Sequence, residues 1–503
     1  SQIDNYPHFL VNFSSICVSF ALEKPQNEKV MIIGRKRELQ LLQKAYDSEK
    51  SELVIVYGRR RVGKTFMVRK AFAGNFDFYV TGLFKKPRKR QLENFANALA
   101  EYSGKDAEVP KDWYAAFRML KDYLKTLGDR KKLVFIDEMP WMSTAKSDFV
   151  GALEAFWNGW GSGVDTLKLI VCGSASSWFS DNVFSNKGGL FNRDTERIYL
   201  KPFTLHETEL FLQSAGIVMN RYEITECYMI MGGIPYYLDK LDKSLSLPQN
   251  VDRLFFQPKS LLFDEFYHLY DALFSKSENY IKIVEALASK RSGLTQAEIL
   301  KLTDIPQNGN FGKMLDNLAY SNIVEKMGSF GEEKKEERYL LCDFFTQFYF
   351  SFIKSNESND NDYWTNRLDD PSHNAWRGLT FERVCRQHLA EIKKKLGIQG
   401  VATSTYTFNQ KAKANGGNGA QIDLVIDRRD QVINLCEAKF SKNEFLISNS
   451  YRADLQNKVT AYKTFTSTKK AVHLTMLTTY GLKASKNNDV VQSVITIDDL
   501  FKE

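Results

Sequence analysis

The chain has 503 residues, of which 43% are apolar and 26% charged. That balance excludes intrinsic disorder, a collagen-like repeat or a disulfide-stapled miniprotein as descriptions of the whole, and at ~100–200 residues per domain it suggests about three domains. The net charge of +8, from 69 Lys+Arg against 61 Asp+Glu, is compatible with a polyanionic partner and equally with a solvated, lysine-rich surface.

The six cysteines, Cys17, Cys172, Cys227, Cys342, Cys385 and Cys436, form no C-x-x-C pair, so no zinc or redox motif is read. A reducing, cytoplasmic compartment fits them. No run of ~18 apolar residues predicts a membrane span. Phe9–Leu22 looks faintly like a signal core, but no Lys or Arg precedes it. Residues 1–30 are expected to be an appendage, with Met31 as a natural start.

From residue 31 to 240, helical and strand-like patterns alternate, as in a parallel α/β sheet. Glu38–Ala45 reads as a helix. Glu52–Tyr57, Lys132–Ile136 and Leu167–Cys172 read as strands covered on both faces. Residues 241–350 read as helices at Tyr280–Ala288, Thr295–Thr303 and Phe311–Ser321. Thr295 is the expected N-cap and Glu298 stands at the third helical position. Strands Ile323–Lys326 and Arg338–Leu341 follow, joined by a charged turn. Three helices and a two-stranded wing make a winged-helix pattern. Residues 351–370 are polar and read as a linker. Residues 371–503 begin with an amphipathic helix around Phe381–Leu396. Strands at Gln421–Ile426, Val432–Cys436 and Ala471–Leu477 follow, with a helix near Ala453–Thr464 before the last of them.

Gly58-Arg59-Arg60-Arg61-Val62-Gly63-Lys64-Thr65 matches G-x-x-x-x-G-K-[ST] between the strand ELVIVY and the helical run that begins at Phe66. Its glycines let backbone N–H groups wrap phosphates at a helix N-terminus. Lys64 is placed to reach the β- and γ-phosphates, and Thr65 to bind Mg²⁺. Asp137 ends an apolar strand, where a carboxylate can hold Mg²⁺ through water. Glu138 follows it as a candidate general base. Ser174 ends the next strand at the same sheet edge, either to sense the γ-phosphate or as a plain turn serine.

These residues, with IIGRKRELQLL, LVFIDEMPWM, CGSASSWF, LFNRDTERIYLKPF and GGIPYYL, make residues 31–350 resemble the archaeal-type ATPase family of the AAA+/STAND group. The resemblance implies a P-loop NTPase sheet, ATP as nucleotide, a helical lid, a winged helix and a possible homo-oligomer. It places Arg193 and Arg197 in the family's basic motif. One of them is then an arginine finger, or they form surface ion pairs with Asp194 or Glu196. Asn192 stands where many relatives carry glycine. Gly232-Gly233-Ile234-Pro235 resembles the lid motif, or simply caps a helix.

Near the C-terminus, Asp423 and Glu437-Ala438-Lys439 lie on two strand-like runs joined by a polar turn. Alternation puts Glu437 and Lys439 on one face. Two carboxylates can bind Mg²⁺ on a phosphodiester, and the lysine can orient water or stabilise phosphate charge. This arrangement resembles the PD-(D/E)XK nuclease superfamily, with Ile422 in place of the motif's proline. The resemblance implies Glu382 as the helical glutamate. The expected metal set is then Glu382, Asp423 and Glu437, and Gln456 and Lys458 face substrate. A surface salt bridge within a hairpin is the plainer reading.

The whole chain is thus expected to be α/β. A P-loop NTPase sheet with its helical lid is followed by a winged-helix domain and a C-terminal α/β nuclease-like domain. Its expected function is an ATPase acting on DNA. The alternative is a regulatory ATPase with a catalytically silent C-terminal domain. Lys85–Arg90 reads either as a solvated loop or as a contact to phosphate backbone. Gly416–Gly419 reads as a flexible approach to Asp423.

Overall fold

The computed structural model describes residues 32–503 except 175, 185–189, 275, 291, 331–334, 357–359 and 411–418. The expected appendage, Cys17 and most of the Gly416–Gly419 segment lie outside the described residues.

Five strands form the first sheet: β1 (Glu52–Tyr57), β2 (Phe78–Thr81), β3 (Lys132–Asp137), β4 (Leu167–Gly173) and β5 (Glu196–Tyr199). Their order is β2-β3-β4-β1-β5 and every pairing is parallel. Successive side chains leave a strand on opposite faces. Leu53, Ile55, Val134 and Ile136 therefore enter one core, and Val54, Val56, Leu133 and Phe135 another. Both β3 and β4 are buried at every position, which is why Leu133–Ile136 and Leu169–Cys172 are unbroken apolar runs. The strands β2 and β5 lie at the sheet edges and are absent from the sequence expectation. Each has only four residues and is partly exposed.

The helical region contains Ser277–Ala288, Gln296–Thr303 and Gly309–Tyr320. Thr295 caps the second of these with Glu298 in a reciprocal capping box, as the spacing predicts. The hairpin is longer than expected. Its strands β6 (Val324–Phe330) and β7 (Lys335–Leu341) absorb most of the charged segment read as a turn. The reason lies in the second sheet. There β8 (Thr403–Gln410), β9 (Ala420–Arg428), β10 (Val432–Lys439), β11 (Ala471–Thr478) and β12 (Ser493–Thr496) follow. The order is β12-β11-β10-β9-β8-β6-β7. The pairing of β6 with β8 at Ser329↔Thr407 and Phe330↔Phe408 gives the charged strand backbone partners that its own sequence does not reveal. The hairpin and the C-terminal strands thus share one sheet across the segment expected to be a linker.

That segment is packed. Trp364 is fully buried, and Asp252 accepts hydrogen bonds from the Trp364 and Thr365 amides at 2.7 and 3.0 Å. Trp364 stacks on His373 with ring centroids 4.3 Å apart. The helix expected at Phe381–Leu396 is two helices, Pro371–Gln387 and Leu389–Lys395. They break at His388, whose Nε2 accepts from the Leu205 amide at 3.0 Å while Nδ1 meets the Val384 carbonyl at 2.8 Å. This bond ties the C-terminal region to the helix Leu205–Ser214. A buried ion pair between Arg377 and Glu226, at 2.8 Å, and the stack of Tyr222 on Phe440, at 4.5 Å, join the same regions.

Burial pushes the pKa values of His373 and His388 from 6.5 down to about 4. The folded protein therefore holds both rings neutral while the unfolded chain takes up protons near pH 6.5. Stability should be intact above that pH and should fall between about pH 6.5 and 4. Neither ring nitrogen of His373 has a hydrogen-bond partner among the described residues. The drop in thermal midpoint between pH 7.5 and pH 5 should accordingly be smaller in His373→Phe than in the parent protein; an equal drop contradicts this account.

Candidate nucleotide site and C-terminal acid pair

The segment Gly58–Thr65 joins β1 to the helix Lys64–Ala71. Gly58 has φ 143°, and a Cβ there would lie 2.3 Å from the Leu200 carbonyl oxygen, so the close approach requires glycine. Gly63 has φ 90°, and nothing lies within 4 Å of where its Cβ would stand. This leaves an open cradle at the helix N-terminus, where backbone N–H groups and the helix dipole favour anions. Lys64 donates to the Gly58 and Arg59 carbonyls at 3.0 and 2.8 Å. Thr65 Oγ1 donates to Asp137 Oδ2 at 2.8 Å. The two side chains expected to share Mg²⁺ thus meet across β1 and β3.

Glu138 follows Asp137 in the left-handed region, with φ 46°. Ser174 donates to its carboxylate from the amide at 3.2 Å and from the hydroxyl at 3.0 Å. Burial raises the Glu138 pKa; Lys64 opposes the rise and Asp137 adds to it. The two candidates Glu138 and Ser174 therefore form one unit. Ser174 is turned toward the acid.

The three loop arginines, expected to bind nucleotide with the rest of the loop, turn their side chains elsewhere. Arg59 is 2% exposed and forms an ion pair with Asp343. Burial works against its charge, and Asp343 together with Tyr237 and Tyr270 more than offsets it. Arg61 donates to Glu265 Oε2 at 2.7 Å and lies 3.8 Å over the Tyr236 ring. Arg60 lies about 6 Å from the rings of Phe84 and Trp141. Val62 is buried, and its carbonyl accepts from Arg35 Nη2 at 3.3 Å. Phe66 is half exposed.

Arg197 forms an ion pair with Asp194 and lies 4.2 Å over the Phe184 ring. Arg193 is exposed. Asn192 has φ 54°, a conformation that Asn adopts more readily than most residues, in place of glycine. Gly232 caps the helix Arg221–Met231, and Pro235 opens the short helix that follows. This segment brings Tyr236 and Tyr237 to the phosphate loop. Lys85–Arg90 is exposed at every position.

In the second sheet, Leu424 pairs with Cys436, which sets Asp423 beside Glu437. Asp423 accepts from the Ala438 amide at 3.1 Å. Glu437 is 1% exposed and pairs with Lys458 at 2.6 Å. Tyr451 donates to it at 3.4 Å. Burial and the charge of Asp423 push the Glu437 pKa up to about 7, against the pull of Lys458. Lys439 Nζ lies 5.0 Å over the Tyr451 ring. Glu382 lines a cleft with Asp423, Arg386, Asn409 and Gln421. Among the described residues, no three His, Cys, Asp or Glu side chains are grouped to hold a metal ion. Of the expected set, Asp423 stands beside Glu437 and lines one cleft with Glu382. The Glu437 carboxylate is drawn to Lys458 and Tyr451 on the helix Asn449–Thr466, while Glu382 faces the cleft. Lys458, expected to face substrate, is held by the acid instead.

Residues 32–241 match the family model of an ATPase domain predominantly from Archaea. This region is thus similar to the ATPase domains of that family. An uncharacterized protein of Methanocaldococcus jannaschii is 27% identical over 367 residues, covering 72% of this chain and 78% of that protein. An uncharacterized ATP-binding protein of the same organism is 49% identical over 41 residues, 8% of this chain and 70% of its own. Among solved structures, the Walker-type ATPase of Pyrococcus abyssi has 18% identity and a TM-score of 0.46, covering 63% of this chain and 96% of its own. The Aeropyrum pernix ORC2 protein has 12% identity and a TM-score of 0.41, covering 67% and 96%.

The ATPase domain holds Lys64, Thr65, Asp137, Glu138 and Ser174. Glu265, Asp343 and the acid pair all lie beyond it. No described helix is long and apolar enough to cross a membrane. Three residues of the loop's surroundings escape the sequence reading: Arg35, Glu265 and Asp343. The first stands inside the quoted IIGRKRE motif, where its arginine was the available signal. The other two carry no local signal, since a single acid in a helical region is ordinary.

Replacing Lys458 by Ala leaves the Glu437 carboxylate buried without its cation. Such a loss should cost about 1–3 kcal/mol at pH 8. The cost should shrink at pH 6, because Glu437 then takes up a proton. Denaturant unfolding at both pH values measures this, and a cost independent of pH contradicts it.

Proposed function

We propose that the protein hydrolyses ATP in its N-terminal domain and couples nucleotide state to a nuclease-like C-terminal domain acting on DNA. The observation that carries the first half is the 2.8 Å contact of Thr65 with Asp137 beside Lys64. The family match supports ATP hydrolysis. Thr65 and Asp137 are the residues that would hold Mg²⁺, which when bound neutralises phosphate charge. Lys64 exchanges its two carbonyl partners for phosphate oxygens. Glu138, raised in pKa and held by Ser174, orients the attacking water and takes its proton. Arg193 is exposed and free of the ion pair that holds Arg197, which suits it to reach a neighbouring copy as an arginine finger.

For the second half, support comes from Asp423 and Glu437 side by side on a hairpin, with Lys439 two residues on. The three helices and the β6–β7 hairpin support a winged-helix reading, and the hairpin's place in the C-terminal sheet gives a route from ATPase domain to acid pair. A second reading has its own observation. Lys458 occupies Glu437, and among the described residues no third metal-binding side chain joins the pair. In that reading the C-terminal domain is catalytically silent and binds DNA or protein.

Turnover of ATP should vanish in Lys64→Ala and fall on the order of 10²-fold or more in Glu138→Gln. Unchanged turnover in both refutes the site. Plasmid DNA with Mg²⁺ or Mn²⁺, with and without ATP, separates the two C-terminal readings. Cleavage that is lost in both Glu437→Ala and Lys439→Ala supports a nuclease. A parent protein that never cuts supports the silent domain.

A further inference from the structure

Four residues separate Gly58 from Gly63, and three of them are fixed from outside the loop. Arg59 is tied to Asp343. Arg61 is tied to Glu265. The Val62 carbonyl is tied to Arg35. Arg61 also has a left-handed backbone, with φ 72°. A β-unbranched side chain tolerates that region only at a cost, and here its guanidinium is clamped between the Glu265 carboxylate and the Tyr236 ring.

The two acids are themselves held. One oxygen of Asp343 takes Arg59, and the other accepts from the Thr346 amide at 2.9 Å and the Thr346 hydroxyl at 2.6 Å. Asp343 is thus the N-cap of the helix Phe344–Phe348. Thr346 in turn meets the Tyr270 hydroxyl at 3.0 Å. Glu265 takes Arg61 on both oxygens and the Tyr237 hydroxyl at 3.0 Å. It opens the helix Glu265–Leu273. The loop therefore leans on two helix starts, and both lie beyond the end of the ATPase domain.

We infer that Glu265 and Asp343 are positioning residues of the nucleotide site, supplied by the helical region and acting through Arg61 and Arg59. They fix the direction in which the loop's N–H groups point, and so they set affinity for the phosphate chain of a nucleoside triphosphate. Coupling of this kind is reciprocal: what moves the two helix starts loosens the loop, and a bound triphosphate steadies the helix starts. The inference rests on the nucleotide site proposed above.

The pair Arg61–Glu265, the more accessible of the two, is the one to test, in the full chain, by calorimetric titration with ATP. Glu265→Gln should weaken ATP binding on the order of tenfold and raise KM by more than it lowers kcat. The double variant Arg61→Met with Glu265→Gln should bind no more weakly than Arg61→Met alone, because the acid acts only through the arginine. Thermal midpoints are measured alongside. A lower midpoint with parental affinity marks a merely structural pair and overturns the inference, as do effects of the two substitutions that simply add. If Glu265→Gln does not fold, Glu265→Asp, which keeps the charge at shorter reach, is read on the same scale. Lys64→Ala separates the two failures: parental ATP affinity in that variant refutes the nucleotide site itself, not the role of Glu265.

Discussion

A guanidinium buried beside the phosphate loop is the constraint on which the rest of this structure depends. Arg59 is 2% exposed, and its charge is balanced by Asp343, also 2% exposed. Removing one partner of such a pair costs about 3–5 kcal/mol, because the other charge is left uncompensated. That is a large part of the ~5–15 kcal/mol that holds a domain folded. The loop and the start of the helix Phe344–Phe348 therefore have to stay together. The second pair joins Arg61, 19% exposed, to the buried Glu265 and adds direction to the loop.

From this constraint the architecture follows outward. The helix capped by Asp343 comes directly after β7, and β7 is joined through β6 to β8 and the C-terminal sheet. His388, Arg377 and Phe440 close the path on the far side by binding the ATPase domain's own helices. The acid pair Asp423–Glu437 sits in the sheet reached this way. Its two strands are tied to the phosphate loop by hydrogen-bonded backbone and the Arg59–Asp343 ion pair.

Legibility in the sequence follows the range of the forces involved. Lys64, Thr65 and Asp137 are readable because a loop spacing and one buried strand place them. The capping box at Thr295 is readable because it closes over three residues. Strands buried on both faces announce themselves as apolar runs, whereas β2 and β5, short edge strands, do not. The charged turn of the hairpin hides a strand whose partner lies in β8. The polar segment 351–370 hides Trp364, which Asp252 holds in place from more than a hundred residues away. Asp343 and Arg59 are 284 residues apart, and no local pattern connects them. The same limit explains Lys458: its helix shows a polar face, and only the fold turns that lysine onto Glu437.

The central claim is that nucleotide at the phosphate loop and the helix starts behind it form one mechanical unit. Hydrogen exchange of the full chain, with and without ATP, tests this most directly. The account predicts slowed exchange in Gly58–Ala71 together with Glu265–Leu273 and Phe344–Phe348 when ATP is bound. Protection confined to the loop and its own helix, with the two distant helices unchanged, would contradict it.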